Sequence, residues 1–131
     1  MKIFRGEDMD WMPASHESDD DPGVWKRVLM TADAFIDGRP QMLNWARMPA
    51  GKGFASHYHE DMQEVFVIVT GTAEIDVGGE TEVLYAGDAV EIPVAAVHRM
   101  RNIGEAPVEY IAIGVSMNQG GRTMVVDDMD A

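Results

Sequence analysis

Cysteine is absent from the 131 residues, and histidine and lysine are scarce. Without cysteine the chain forms no disulfides and offers no thiolate ligands, which excludes the small secreted proteins that disulfides hold together. The first residues contain no apolar stretch long enough for a signal peptide or a membrane span. We therefore expect a cytoplasmic protein that does not act at a membrane.

Basic residues are also few, since 10 Lys and Arg stand against 23 Asp and Glu, for a formal net charge of −13. This charge repels phosphate backbones, so nucleic acid is not an expected partner. Acidic runs lie towards both ends, at Glu17–Asp21 and Asp127–Asp130. We expect an acidic, partly ordered arm over residues 1–23, one folded domain over 24–126, and an acidic tail over 127–131.

From residue 24 onward the chain consists of short runs between turn residues, without a helical period. Residues 72–77 alternate apolar and polar side chains, as a half-buried strand does, and Gly78-Gly79 then suits a tight hairpin. Strands are predicted over residues 24–31, 40–48, 54–59, 64–70, 72–77, 80–85, 90–92, 97–103, 108–115 and 123–126. Strands this closely spaced favour an all-β barrel that is closed or built of two sheets.

Three of the four histidines join one glutamate in two spaced blocks. The first block runs Gly51, five residues, His57-Tyr58-His59, four residues, Glu64, six residues, Gly71; the second runs Gly87, five residues, Pro93, then His98 and Asn102. His57 and His59 are two apart, so on a strand their side chains share one face. The fourth histidine, His16, lies beside acidic residues and is expected to be solvated.

Three imidazoles and one carboxylate form the ligand set of a divalent transition metal. A single His or Glu is more often an ordinary surface or packing residue, and a pair can arise by chance in an acidic chain. Both blocks together, each ended by turn residues, favour a metal site. We expect one ion per chain, which could be Fe, Mn, Ni, Cu or Zn, because ligand type alone does not separate these metals.

In these blocks the chain resembles the cupin superfamily, whose motifs are G-x5-H-x-H-x3/4-E-x6-G and G-x5-P-x-G-x2-H-x3-N. The first motif is matched in full, and the second except at Ala95, where the family has glycine. The turn at Ala95 therefore either avoids positive φ or adopts it with strain. The resemblance implies a double-stranded β-helix (jelly-roll) barrel. It also implies four metal ligands: His57, His59, Glu64 and His98.

Strand parity predicts which side chains line the barrel interior. One inward face carries His98, Met100 and Asn102, and another carries Glu64, Phe66 and Ile68. In the strand over 40–48 either Leu43, Trp45 and Arg47 or Asn44, Ala46 and Met48 face inward. Most of these side chains are expected to fill the core. The candidate substrate contacts are Phe66, Met100, Asn102 and, if it faces inward, Arg47, whose guanidinium would bind a carboxylate or enolate.

Single-domain cupins with a complete ligand set include dioxygenases, isomerases, lyases and decarboxylases, and also binders without catalysis. We expect a metal-dependent enzyme, a dioxygenase-type oxidoreductase acting on a small chelating carbonyl or enol compound, with Glu64 able to act as a base. One alternative is a non-catalytic, metal-organised binder of a sugar or another small ligand. Another is a lyase or isomerase, although Phe66 stands where some sulfoniopropionate-cleaving cupins carry a tyrosine base.

A homodimer is expected from the amino-terminal arm and the first long strand. Met9, Trp11 and Met12 are poor choices for a free tail, so that piece would dock on the barrel or on a partner subunit. Pairing the arm or the edge strand over 24–31 with a second copy would cover both, and two-fold symmetry is the commonest closed arrangement. The resemblance supports this expectation, because similar cupins are often dimeric.

Overall fold

The computed structural model describes residues 2–14, 17–36, 39–116 and 122–126. Within these ranges the chain forms eleven strands and two short 3₁₀ helices, Gly6–Asp8 and Ala32–Ala34. The strands are β1 (Met12–Pro13), β2 (Trp25–Thr31), β3 (Pro40–Met48), β4 (His57–His59), β5 (Met62–Thr70), β6 (Thr72–Val77), β7 (Glu80–Tyr85), β8 (Ala89–Ile92), β9 (His98–Asn102), β10 (Val108–Ser116) and β11 (Thr123–Val125). The described residues include no helix long and apolar enough to cross a membrane.

The described strands form two antiparallel sheets. One sheet has six strands in the order β1-β2-β3-β10-β5-β8, and the other has five in the order β11-β4-β9-β6-β7. Gly78 and Gly79 join β6 to β7 with φ values of 58° and 90°, which glycine adopts without strain. The expected double-stranded β-helix is confirmed.

The apolar core lies between the two sheets. Its largest fully buried apolar side chains are Met48, Ile68, Ile92, Met100, Val24 and Val108. In β3 the buried side chains are Asn44, Ala46 and Met48, so the second of the two inward faces predicted for this strand is the observed one. Burying Ala46 and Met48 beside Tyr110 and Val108 of β10 fills the core, whereas burying Arg47 would desolvate a charge.

Part of the amino-terminal arm docks on the chain's own barrel. Met12 and Pro13 of β1 pair with Lys26 and Trp25 of β2, and the guanidinium of Arg27 lies 4.4 Å from the centre of the Trp11 ring. Sequence analysis did not predict β1 as a strand, because two residues that include a proline carry no alternation. His16 and the acidic tail over 127–131 lie outside the described residues, and the division of the chain at residue 23 stays a prediction.

Candidate metal centre

Four side chains converge from three strands. His57 and His59 come from β4 and His98 from β9, and His57 lies directly opposite His98 in the sheet. Glu64 comes from β5 in the other sheet. One potential ligand atom of each residue lies within 4.8 Å of the others, and all four residues are buried. The cluster therefore exists only when the two sheets pack together.

Backbone carbonyls orient two of the imidazoles. Nδ1 of His57 lies 2.7 Å from the carbonyl oxygen of Ala55, and Nδ1 of His98 lies 3.0 Å from that of Ala96. A carbonyl only accepts, so each Nδ1 donates its proton, and in the neutral ring that binds a metal each Nε2 then carries a lone pair. Metal-binding histidines are commonly held by a hydrogen bond of this kind.

The Nε2 atom of His98 tests whether the residues fit an ion. It is buried and has no hydrogen-bond partner within the described residues, although it lies 3.2 Å from Oε1 of Glu64. A lone pair facing a carboxylate oxygen in the interior is unfavourable unless a cation lies between them. The orphaned nitrogen therefore favours an ion at this position.

The separations within the cluster also suit one ion. Nε2 of His59 lies 2.7 Å from Oε1 of Glu64. Ligand atoms bound at right angles about 2.1 Å from an ion lie about 3 Å apart. His57, His59, Glu64 and His98 therefore fit a single divalent transition ion, and this donor set does not distinguish among Fe, Mn, Ni, Cu and Zn.

Glu64 is held as an anion. Burial alone would raise the pKa of its carboxyl group. The neighbouring rings of His59, which hydrogen-bonds the carboxyl group, and His98 outweigh burial and lower the pKa to about 2. An ionised carboxylate is the form that binds a metal. While it contacts the histidines Glu64 is a weak proton acceptor, so its action as a base, which stays a prediction, would require it to move away from them.

Aromatic rings enclose the cluster. The centre of the Phe54 ring lies 5.0 Å from that of His57 and 5.8 Å from that of His98, and the Phe66 ring lies 6.2 Å from His98. Phe54 precedes β4, which is shorter than predicted, and its backbone N–H donates to the carbonyl oxygen of Met100. Phe54 and Phe66 are themselves buried, so one side of the cluster is apolar.

A cavity of about 150 Å³ lies beside the cluster. His57, His59 and Glu64 form part of its wall, and Phe66 lines it as predicted. The other polar groups of the described lining are Lys26, Gln41, Asn44, Tyr110 and Thr123. Burial, together with the negative charges of Glu64 and Glu17, raises the pKa of Tyr110 well above its usual value, so the Tyr110 hydroxyl keeps its proton.

Three of the predicted substrate contacts do not line this cavity. Met100 is fully buried in the core. Asn102 donates from Nδ2 to the carbonyl oxygens of Met48 and Ala106 and accepts at Oδ1 from the N–H of Gly104, so it stabilises the turn between β9 and β10. Arg47 is exposed on the outer face of β3, which corrects its conditional assignment to the pocket.

Sequence analysis missed Lys26 and Tyr110 as cavity residues. β2 contains Trp25-Lys26-Arg27 followed by apolar residues, so no alternation identifies its inward face. β10 is apolar at nearly every position, so its sequence does not show that Tyr110 and Ala112 face inward. The antiparallel register with β3, which places Tyr110 beside Ala46, supplies the missing information.

Comparisons with known proteins agree with this geometry. A family model for the cupin domain matches residues 44–114. The chain is 38% identical over 85 residues to polyketide synthase CurC of Streptomyces cyaneus. The aligned residues make up 65% of this chain and 54% of CurC. It is 32% identical over 81 residues to mannose-1-phosphate guanylyltransferase ManC of Salmonella typhimurium. The aligned residues make up 62% of this chain and 17% of ManC. The chain thus spans about half of one relative and under a fifth of the other.

A solved structure supports the fold. A protein of Thermotoga maritima described as a predicted oxalate decarboxylase superposes with a TM-score of 0.79 at 19% identity, over 88% of this chain and 100% of the other. The matched segment, residues 44–114, contains all four members of the histidine and glutamate cluster. On its sequence and its fold, this chain belongs to the cupin domain family.

Proposed function

We propose that this cupin is a metal-dependent enzyme acting on a small compound that chelates the ion through one or two oxygen atoms. The observation that carries the proposal is the buried, orphaned Nε2 of His98 in a cluster that forms one wall of a cavity. A bound ion would supply Lewis acidity and, if it is redox-active, a place for dioxygen beside the substrate. Our preferred reaction class is a dioxygenase acting on a carbonyl or enol compound.

The cavity favours a small substrate. Pockets for drug-sized ligands measure about 300–1,000 Å³, whereas this cavity measures about 150 Å³. His57, His59 and Glu64 form one wall, so a molecule that enters reaches the cluster. The Tyr110 hydroxyl, which keeps its proton, is placed to donate to a substrate oxygen.

A small carboxylate suits this site as the chelating compound. The Thermotoga maritima protein of the same fold is described as a predicted oxalate decarboxylase, and oxalate is a small chelating acid. Neutral carbohydrate is less suitable, because its many hydroxyl groups need more partners than Gln41, Asn44, Tyr110 and Thr123 provide.

The second candidate function is a non-catalytic, metal-organised binding module. The supporting observation is that the chain matches only 17% of ManC, a much longer protein named for activity on a sugar phosphate. A binding module should hold its ligand with a redox-inert ion and turn nothing over.

Substrate screening separates these candidates. Protein purified without oxygen is loaded with Fe(II), Mn(II), Ni(II) or Zn(II) and incubated with small 2-oxo, 2-hydroxy and enol acids, and oxygen uptake and substrate loss are followed together. Oxygen uptake coupled to substrate loss, absent in the His98→Ala variant, is the result we expect. Substrate loss without oxygen uptake would indicate a lyase, isomerase or decarboxylase. Binding without turnover under every metal would indicate the binding module.

A further inference from the structure

We propose that Lys26 selects the ligand by binding a carboxylate at the end of the cavity remote from the metal cluster. The ligand would then be a small dicarboxylate, with one end chelating the ion and the other paired with Lys26. The chelating end rests on the proposed function, whereas the contact with Lys26 rests on separate observations.

The first observation is position. Lys26 lines the same cavity as His57, His59 and Glu64. In the six-stranded sheet β10 and β3 separate β5, which carries Glu64, from β2, which carries Lys26. Three strand spacings correspond to about 14 Å across the sheet, and Lys26 lies in the row of Ile68, four residues or about 13 Å along β5 from Glu64. The ammonium group therefore comes from the side of the cavity opposite to the cluster.

The second observation is that Lys26 is half-buried without a partner. Among the described residues, no hydrogen bond or ion pair engages its ammonium, whereas Lys52 pairs with Asp21 at 2.9 Å and Arg101 with Glu74 at 2.8 Å. Burial lowers the pKa of Lys26, because the charged form loses solvation there. A carboxylate in the cavity would offset that loss.

The third observation is an unpaired acceptor in the same cavity. Asn44 is 7% exposed, and its Oδ1 atom is buried without a hydrogen-bond partner in the part of the chain that the structure describes. β3, which carries Asn44, lies between β2 and β10, so this acceptor is between Lys26 and the strand of Glu64. A ligand hydroxyl would satisfy it, which favours a hydroxylated dicarboxylate.

The charges in the cavity also favour a dicarboxylate ligand. The charged side chains of the described lining are Glu64 and Lys26, whose charges cancel. A divalent ion would give the lining a charge of about +2, which the carboxylate of Glu17, close enough to act on Tyr110, reduces. A dicarboxylate is the anion that such a positive lining suits. The whole chain carries −13, so a positive cavity would differ in sign from the molecule around it.

Two hydroxy acids that differ only at the distal end test this contact. Malate and 2-hydroxybutyrate share the chelating 2-hydroxy acid, and a methyl group replaces the second carboxylate in 2-hydroxybutyrate. Calorimetry with the Ni(II)-loaded protein should give malate about tenfold tighter binding, a typical effect of a charge-assisted hydrogen bond. Lys26→Met should abolish this preference without changing the affinity for 2-hydroxybutyrate, and Lys26→Arg should retain most of it. Equal metal content in all three proteins controls for folding.

A metal-independent measurement keeps the contact separate from the metal. The chain has three lysines, Lys2, Lys26 and Lys52, so mass spectrometry follows the reductive methylation of each. In metal-free protein, malate should slow methylation at Lys26 at least twofold relative to sodium chloride of equal ionic strength. Lys2 and Lys52 serve as internal controls.

The outcomes separate the two proposals. Protection of Lys26 in a protein that takes up no metal would leave the carboxylate contact standing and contradict the proposed function. Metal uptake with no preference for malate, or with a preference that survives in Lys26→Met, would overturn the role of Lys26 and leave the metal centre standing. Equal slowing at all three lysines would likewise overturn it, because it would show a nonspecific effect.

Discussion

The backbone N–H of Ala95 donates a hydrogen bond of 2.9 Å to the carbonyl oxygen of His59. Ala95 has φ +64°, in the left-handed region where a Cβ atom is strained. This hydrogen bond therefore holds the turn that leads into His98 against β4, the strand that carries His57 and His59. Of the two alternatives that the sequence left open at this position, the strained one is observed.

Replacing Ala95 with glycine should stabilise the protein. Ala95→Gly relieves the strain at positive φ, and this gain exceeds the entropic cost of glycine, so the free energy of unfolding should rise by about 0.5–1 kcal/mol. Urea denaturation measures the change. Ala86→Gly is the matched control, because Ala86 is an exposed turn residue without positive φ, and this substitution should destabilise slightly. A loss of stability in Ala95→Gly would contradict the assigned backbone geometry.

Two glycines with positive φ should respond differently to alanine. At Gly71, with φ +88°, a Cβ atom would lie 2.8 Å from the carbonyl oxygen of Pro107 and 2.9 Å from Cα of Val108. At Gly78, with φ +58°, nothing lies within 4 Å of the added atom. We expect Gly71→Ala to cost about 3 kcal/mol of unfolding free energy and Gly78→Ala about 1 kcal/mol, measured by thermal or urea denaturation. Equal losses would show that the close approach at Gly71 is absent.

The homodimer remains a prediction, and the edge of β2 is its expected interface. β1 covers only the first two residues of β2, so backbone groups beyond Lys26 form an open strand edge within the described residues. Pairing with a second copy would cover that edge. Light scattering at micromolar concentration should therefore give 28.8 kDa, twice the chain mass of 14.4 kDa. A mass of 14.4 kDa would contradict the prediction.

Most of the fold was accessible from the sequence because turns and alternation mark it clearly. The predicted strand over 72–77 matches β6, and the hairpin at Gly78-Gly79 follows as expected. The strand predicted to begin at Phe54 begins at His57, because pairing with β9 is interrupted between the isolated bridge of Gly53 with Arg101 and the pair of His57 with His98. That shift depends on pairing between strands distant in the chain, which local sequence does not encode.

The cluster was predictable and the far end of the cavity was not. His57, His59, Glu64 and His98 stand in a spacing that identifies them together. Lys26 and Asn44 carry no such spacing, and their inward direction follows only from the register of β2 and β3 in the closed barrel. Arg47 was the cation considered for the pocket. Its neighbours Ala46 and Met48 face inward, so Arg47 faces outward on the same strand.

Metal content of the wild-type protein and three variants tests the central claim most directly. After anaerobic purification, elemental analysis should give about one transition-metal ion per chain for the wild type, and at most about a tenth of that for His57→Ala and His98→Ala, since the remaining ligands cannot replace the lost one. Tyr58→Phe is the control: it changes the residue between the two histidines of β4, on the opposite strand face, and should keep its metal. Circular dichroism should show a folded barrel throughout. Metal content in both histidine variants equal to that of the wild type would contradict the metal centre.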